Sequence, residues 1–217
     1  MTDGIVAHAQ AWDGEAAARG YFGAGPRRLA CGSLDAVHAA VARGDCAYGV
    51  LPLECSSEGM VNRSHDLLYA GGVRVVGEWL HPSGCASSRS DGGACLRHAI
   101  IAPPSHPTHA QDDRLMVAVV LPRHTGSLLD LLAPLALRQL SVEHWCSRPA
   151  RVEGWHYRFH FTLAADSGLE AVELALQEAA ARCHELRVLG RFRGARRSHA
   201  PPAPQHREPP DPHSPCR

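Results

Sequence analysis

Arg114-Leu-Met-Val-Ala-Val-Val-Leu121 opens the stretch whose period decides the fold, and from there to Phe192 the chain reads strand, helix, strand, strand, helix, strand. The opening run is apolar and rich in β-branched residues, and Pro122 stops it. Between Ser127 and Leu140, the side chains of Leu128, Leu131, Leu132, Leu135 and Leu140 fall on one helical stripe, with Ser127 or Thr125 placed as N-cap. Ser141 to Pro149 and Trp155 to Ala164 are short runs rich in aromatic and β-branched residues. The second alternates Trp155, Tyr157, Phe159, Phe161 and Leu163, the pattern of a strand with one buried side. Leu169 to Cys183, mostly Ala, Leu and Glu, is a helix, and Glu185 to Phe192 closes the unit as a strand. This βαββαβ order is the α+β, ferredoxin-like plan, with both helices on one face of an antiparallel sheet.

Upstream, residues 1–111 alternate between strand and helix. Gly4 to His8 is a short strand, and Asp13 to Phe22 an Ala-rich helix with Asp13 as N-cap and Gly23 as its stop. Ser33 caps a helix from Leu34 to Arg43, and Gly44 ends it where positive φ is cheap. Cys46 to Leu53 and Val73 to Leu80 are apolar runs of buried-strand type. Strands separated by helices predict a largely parallel α/β sheet, with ligands near the carboxyl ends of its strands. Downstream, residues 193–217 hold seven of the sixteen prolines and five Arg against two acids. Such a segment cannot bury enough apolar surface to offset its ordering entropy, so it is expected to be a disordered tail. The chain divides accordingly into 1–111, 112–192 and 193–217.

Composition narrows the function classes. In 217 residues, acids and bases balance at 22 each, so no strong field draws nucleic acid or an anionic membrane. Every non-histidine base is Arg and Asn62 is the sole asparagine, the mark of a GC-rich coding bias. No apolar run approaches membrane-spanning length and no N-terminal signal pattern is legible, which makes a soluble, cytoplasmic protein the expectation. The eight cysteines are scattered and read as reduced thiols.

Several motifs together carry a family resemblance. Gly126-Ser-Leu-Leu-Asp-Leu-Leu132, Cys146-Ser-Arg-Pro149, Tyr157-Arg-Phe159 and Val188-Leu-Gly-Arg-Phe192 resemble the ACT regulatory domain of prephenate dehydratases. That family reads Gly-Ala-Leu after the first strand and Glu-Ser-Arg-Pro after the second; Ser127 replaces the Ala here and Cys146 the Glu. The upstream unit resembles the same family through Gly44-Asp-Cys-Ala-Tyr-Gly-Val-Leu-Pro-Leu-Glu-Cys-Ser-Ser-Glu-Gly-Met-Val61, Asp66-Leu-Leu68, Gly77-Glu78 and Ser105-His-Pro107. The resemblance implies an incomplete periplasmic-binding-protein-like lobe followed by an ACT domain. It implies the chemistry that expels water and carbon dioxide from prephenate to give phenylpyruvate without any cofactor. It also implies L-phenylalanine as effector at a homodimer or larger assembly. Glu54, Cys55, Ser56 and Gly59 are then the substrate-loop candidates; Gly126, Ser127, Leu128, Ser147, Arg148 and Pro149 are the effector-site candidates. Free N–H groups at the helix start after Gly126 suit a ligand carboxylate, and glycine there lets it approach closely.

Departures from the family matter equally. Its Glu-Asn-Ser is Glu54-Cys55-Ser56 here, an amide exchanged for a thiol that hydrogen-bonds weakly. Its Gly-rich loop after the first strand is not legible in His8-Ala-Gln-Ala-Trp-Asp-Gly14. After Ser105-His-Pro107 the family runs through most of a second lobe and returns with the Thr-Arg-Phe that carries its catalytic Thr; this chain enters the next strand at Arg114 and holds no Thr-Arg-Phe. The catalytic residues are therefore unknown, and three readings stand: a shortened dehydratase, a non-catalytic sensor of an aromatic amino acid, and an inactive deletion relic. The family-derived sheet, deprived of its returning segment, is expected to expose an unpaired edge. Cys85, Cys95, His98, His106 and His109 share a loop-rich region, but their spacing is not a zinc-finger spacing and no metal is expected. Cys55 has no identifiable base to make it a nucleophile. Arg148 reads either as a surface charge or as part of the effector interface, and Arg191-Phe-Arg-Gly-Ala-Arg-Arg197 as strand end and tail rather than a nucleic-acid arm.

Overall fold

The computed structural model describes residues 4–82, 95–150, 156–165 and 168–195; Cys85, Trp155 and the tail beyond residue 195 lie outside them. Within these residues the order is β1 (Val6–Ala9), α1 (Gly14–Phe22), β2 (Arg28–Cys31), α2 (Leu34–Ala42), β3 (Tyr48–Cys55), β4 (Gly59–Met60), α3 (Asn62–Ala70), β5 (Arg74–Pro82) and β6 (Cys95–Ala102). Then come β7 (Arg114–Val120), α4 (Ser127–Leu137), β8 (Val142–Ala150), β9 (His156–Ala164), α5 (Leu169–Ala180) and β10 (Glu185–Phe192). All but the short β4 lie side by side in one sheet, ordered β2-β1-β3-β6-β5-β10-β7-β9-β8.

The later half has the βαββαβ order expected, with β7 joined to β10 and to β9, and β9 to β8, in antiparallel ladders. Leu115, Val117, Val119, Phe161 and Leu163 point at Leu131, Leu135, Val172, Ala175 and Leu176 of α4 and α5, forming one core. The α4 cap differs from the expectation: Gly126, not Ser127 or Thr125, holds the N-cap position at φ 90 with no side-chain bond. Leu128 at the end of the predicted stripe is partly exposed, whereas Leu131, Leu135 and Leu140 are buried. Asp13 likewise makes no capping bond and sits at φ 50. Ser33 does cap, accepting from the Ala36 amide at 3.1 Å, and Gly44 follows α2 at φ 81.

The earlier half corrects three expectations. Its sheet is mixed rather than largely parallel: β1 runs parallel to β2 and β3, but β6 is antiparallel to both β3 and β5. β6 itself lies in the region read as loop, because Arg97 and His98 break the apolar run that would have announced a strand. Two further elements, β2 and α3, carried no clear periodic signal. The third correction concerns the edge, which among the described residues lies at β2 and not on the β5 side. β5 is not left unpaired: β10 lies beside it in parallel, registered at Gly190 and Val75. A Cβ on Gly190 would lie 2.0 Å from the Val75 carbonyl oxygen, so only glycine lets the two backbones meet there.

One core cluster runs through this joint. Val41, Leu53, Leu68 and Val75 of the first half pack in it with Met116, Ala118, Leu189 and Phe192 of the second. Phe192 is wholly buried, and such a side chain contributes roughly 1.5–3 kcal/mol of transfer free energy. The consequence for β9 is a fourth correction: it has two buried sides. Arg158, His160 and Thr162, opposite the aromatic face, are all covered. No described helix is long and apolar enough to cross a membrane.

Candidate functional site

The polar face of β8 and β9 is a ladder of cross-strand pairs: His144 opposite Thr162, Cys146 opposite His160, Arg148 opposite Arg158. Two guanidiniums directly opposite repel one another unless an anion lies between them. Helix α3 supplies it. His65, Asp66 and Tyr69 recur at helical spacing and therefore share the α3 face that meets this sheet. Arg148 donates to Asp66 Oδ2 at 2.8 Å and Oδ1 at 3.3 Å, and Arg158 donates to Oδ1 at 2.7 Å. Burial alone would raise the Asp66 pKa, but its bond to Arg148 and the charges of Arg148 and Arg158 outweigh that and lower it. The Arg158 guanidinium lies 3.8 Å from the centre of the Tyr69 ring, a cation–π contact, with that of Arg187 at 4.6 Å. Tyr69 in turn donates its hydroxyl to Glu185.

Beneath the ion pairs the cluster is neutral. The His65 and His160 rings meet edge to face at 5.0 Å, and the Cys146 sulfur lies 3.7 Å from His65 Nδ1. Burial, reinforced by neighbouring His144, pulls His65 down to about 4. Burial and the adjacent His65 and Arg158 pull His160 down to about 3. Burial pushes the Cys146 thiol up to about 11, so it is an inert, protonated packing group. Arg158 donates from Nε to His160 Nε2 at 3.1 Å, which fixes that nitrogen as an acceptor in the neutral ring.

Above the ion pairs a cavity of about 800 Å³ opens between α3 and the ends of β8, β9 and β10, with Arg148, Pro149, Arg158, His156 and Tyr69 in its wall. Of the effector-site candidates, Arg148 and Pro149 line this cavity, while Gly126, Ser127, Leu128 and Ser147 do not. Arg148 is thus not a free surface charge: it is tied to α3 of the same chain.

The substrate-loop candidates gather at the carboxyl end of β3, as expected for an α/β sheet. Glu54 faces the second half, 3.4 Å from His144 Nδ1 and 3.8 Å from Arg97 Nε; Arg97 also donates to Glu78 at 2.8 Å. Cys55 is buried, with Sγ 3.1 Å from the Ser57 hydroxyl, a contact that lowers its pKa. The Ser56 hydroxyl accepts from the Cys95 amide at 2.9 Å, and Gly59 turns the β3–β4 hairpin at φ 83. Nearby, Trp12 and Asp13 adopt left-handed φ of 61 and 50 where a Gly-rich loop was sought, and His98 Nε2 lies 2.8 Å from the Trp12 carbonyl. Cys95 and His98 sit on β6, and among the described residues no three His, Cys, Asp or Glu side chains converge to hold a metal.

His65, Tyr69 and His160 were not singled out by sequence reasoning, and Asp66 and Arg158 entered only inside the motifs Asp66-Leu-Leu68 and Tyr157-Arg-Phe159, with no site role. A signal was present: Arg158, His160 and Thr162 alternate with aromatics on a strand flanked on both sides, and charge on a central strand must be covered by a partner.

Residues 9–85 match the family model described as prephenate dehydratase. A curated relative, the prephenate dehydratase of Mycobacterium sp. (strain KMS), is 33% identical over 101 residues, which is 46% of this chain and 31% of the relative. The matched stretch thus spans about a third of the curated relative's length. Among solved structures, the prephenate dehydratase of Arthrobacter aurescens in complex with L-Phe aligns with TM-score 0.72 and 18% identity, over 87% of this chain and 89% of that one. GqqA, described as a novel type of quorum quenching acylase, aligns with TM-score 0.74 and 21% identity, over 88% and 95%. At such identities the likeness is one of fold, and one fold hosts more than one described chemistry.

Proposed function

Starting from a chain whose residues 9–85 are a partial prephenate dehydratase domain, we propose that the protein is a non-catalytic, aromatic-amino-acid-binding member of that family. In this reading residues 1–111 are a shortened, periplasmic-binding-protein-like lobe and residues 112–192 an ACT domain that binds L-phenylalanine. It acts in the cytoplasm as a sensor within phenylalanine biosynthesis and assembles as a homodimer or larger species.

The observation that carries the non-catalytic part is the engagement of Glu54: the substrate-loop carboxylate lies against His144 of β8 and Arg97 of β6, so part of the second half packs against the candidate substrate loop. Expelling hydroxide from prephenate also requires a positioned proton donor, and such groups contribute typically 10²–10⁴-fold. The Thr-Arg-Phe that provides it in the family is missing from the sequence. For the binding part, Gly126 opens α4 at φ 90, and a Cβ there would meet nothing within 4 Å, leaving the helix start open to a ligand carboxylate. The L-Phe complex of the Arthrobacter aurescens protein supports the choice of ligand.

The full chain is expected to give no phenylpyruvate from prephenate above the spontaneous rate. L-Phenylalanine is expected to raise its melting temperature by linkage, following RT ln(1 + [L]/Kd). Gly126→Val forces a β-branched residue into the left-handed region, at a cost of roughly 1–3 kcal/mol, and should remove the response. Phenylpyruvate formation that is lost in Ser56→Ala would reinstate the enzyme. Absence of heat and of thermal shift with millimolar phenylalanine, tyrosine and tryptophan would leave the relic reading.

A further inference from the structure

We infer that α3 is an acid-released latch: protons taken up by the histidines enclosed beneath it lift the helix off the polar face of β8 and β9, while the sheet and the helices on its other face stay folded. Four of the nine α3 residues are buried, and two of these, Ser64 and His65, are polar. Facing them are His144, Cys146 and Arg148 from β8 and Arg158 and His160 from β9. Glu54 of β3 and Arg97 of β6 stand beside His144. Asp66 and Tyr69 of α3 complete the set, Asp66 between Arg148 and Arg158, and Tyr69 against Glu185 and Arg187 of β10.

Two guanidiniums and one carboxylate already meet in this joint, and the His65 and His160 rings lie 5.0 Å apart beneath them. An imidazolium formed at either ring would be held out of water beside positive charge, whereas on a released helix it is hydrated. Burial and these neighbours accordingly hold His65, His160 and His144 below their ordinary value. The closed joint also leaves polar atoms unsatisfied. His160 accepts from Arg158 at Nε2, so its ring proton sits on Nδ1. That Nδ1, the Ser64 hydroxyl and His144 Nε2 are buried with no hydrogen-bond partner among the described residues, and opening hydrates all three. Hinges stand at both ends of the helix. Gly59 lies ahead of α3 at φ 83, and Gly71 and Gly72 follow it at φ 84 and 79. A Cβ on Gly59 or Gly71 would meet nothing within 4 Å, so neither hinge is wedged against the core. The α3 N-cap, Val61, makes no side-chain bond to hold that end. By contrast, α4 and α5 grip the opposite face of the sheet through Leu131, Leu135, Val172 and Leu176. Because the β3–β4 hairpin runs straight into α3, release also loosens the candidate substrate loop. The latch stands whether or not an amino acid binds at Gly126.

The test is hydrogen exchange of the full chain between pH 7 and 5, corrected for intrinsic amide rates, together with labelling by 4,4′-dithiodipyridine located by peptide mapping. Cys146 is buried 3.7 Å from His65 Nδ1, beneath α3, so lifting the helix uncovers it. Below pH 6.5 the released form binds more protons than the closed one, so closure is complete above that value and is lost as the pH falls. With two imidazoles taking part, the opening equilibrium of α3 should rise about 50-fold from pH 6 to pH 5, and only about sevenfold in His160→Gln. His65→Asn should reduce the rise in the same way from the other side of the joint. His124→Gln, at an exposed loop histidine, should behave as the parent. Protection in α4 and α5 should persist at pH 5, and Cys146 should be labelled at pH 5 but not at pH 7. If a histidine variant proves unstable, the parent's own exchange and labelling profile decides the matter. Unchanged α3 protection, equal loss in α3, α4 and α5, or a rise unaltered in both folded variants would each overturn the proposal.

Discussion

At Asp66 one carboxylate lies between two guanidiniums, and removing it leaves both facing each other with no anion between. Asp66→Ala should therefore destabilise the protein by about 2–4 kcal/mol, somewhat below the usual loss for a broken buried pair because Asp66 keeps some solvent contact. The check is urea denaturation at neutral pH; a midpoint equal to that of the parent would refute the assignment. The neighbouring imidazoles set the response to acid. His65 and His160 have an ordinary value of 6.5 but take protons in the folded protein only at about 4 and about 3. Between those values the unfolded chain binds more protons than the folded one, so stability is full above pH 6.5 and falls as the pH drops. The loss is on the order of 2 kcal/mol per imidazole by pH 5. Asp66, whose pKa is lowered, adds its own loss only further down, below the ordinary 3.8. Denaturation midpoints from pH 7 to 5 should fall in the parent and fall less in His160→Gln; a flat profile would refute this.

At the scale of elements, the decisive contact is the parallel approach of β10 to β5 at Gly190. The β10–β7 ladder shifts register between Val188 and Gly190, and there the strand turns its backbone toward Val75. Gly190→Ala places a methyl carbon against the Val75 backbone and should cost about 1–3 kcal/mol by overpacking, while β7, β8, β9 and the two helices on them stay paired. Hydrogen exchange should then report lost protection in β5 and its neighbour β6 but intact protection in β7 and β9. Equal loss in all of them would mean that the substitution destabilises the whole sheet rather than the β5–β10 joint alone. The mixed character of the first sheet follows from the same geometry: β6, inserted antiparallel between β3 and β5, brings Arg97 to both Glu54 and Glu78.

On the scale of the whole molecule, the two halves share one sheet and one core cluster. Local openings are drawn from regions with few buried contacts, and the joint is not one of them, since Phe192 and Leu189 of β10 pack with Leu53 and Leu68. Heat should therefore unfold the described residues in a single calorimetric transition, with matching calorimetric and van't Hoff enthalpies. Two separated transitions would show that the halves fold independently.

The βαββαβ unit was legible in the sequence because its signals are local. Leu131 and Leu135 meet their neighbours at helical spacing, Phe159, Phe161 and Leu163 at strand spacing, and Pro122 and Gly126 punctuate them. The Ser33 cap and the Gly44 stop were legible for the same reason. The family motifs also marked Glu54, Cys55, Ser56 and Gly59 as one group at a strand end, where the fold places them. The rest depended on residues far apart in the chain. Nothing local to Asp66 announces Arg148 or Arg158, 82 and 92 positions away, and nothing local to Gly190 announces Val75. Periodicity shows that a face is polar but not whether water or another element covers it. Only the tertiary structure decided that α3 covers the Arg158–His160 face, that β6 joins the sheet despite its charges, and that β10 pairs with β5 so that the open edge of the first half is β2.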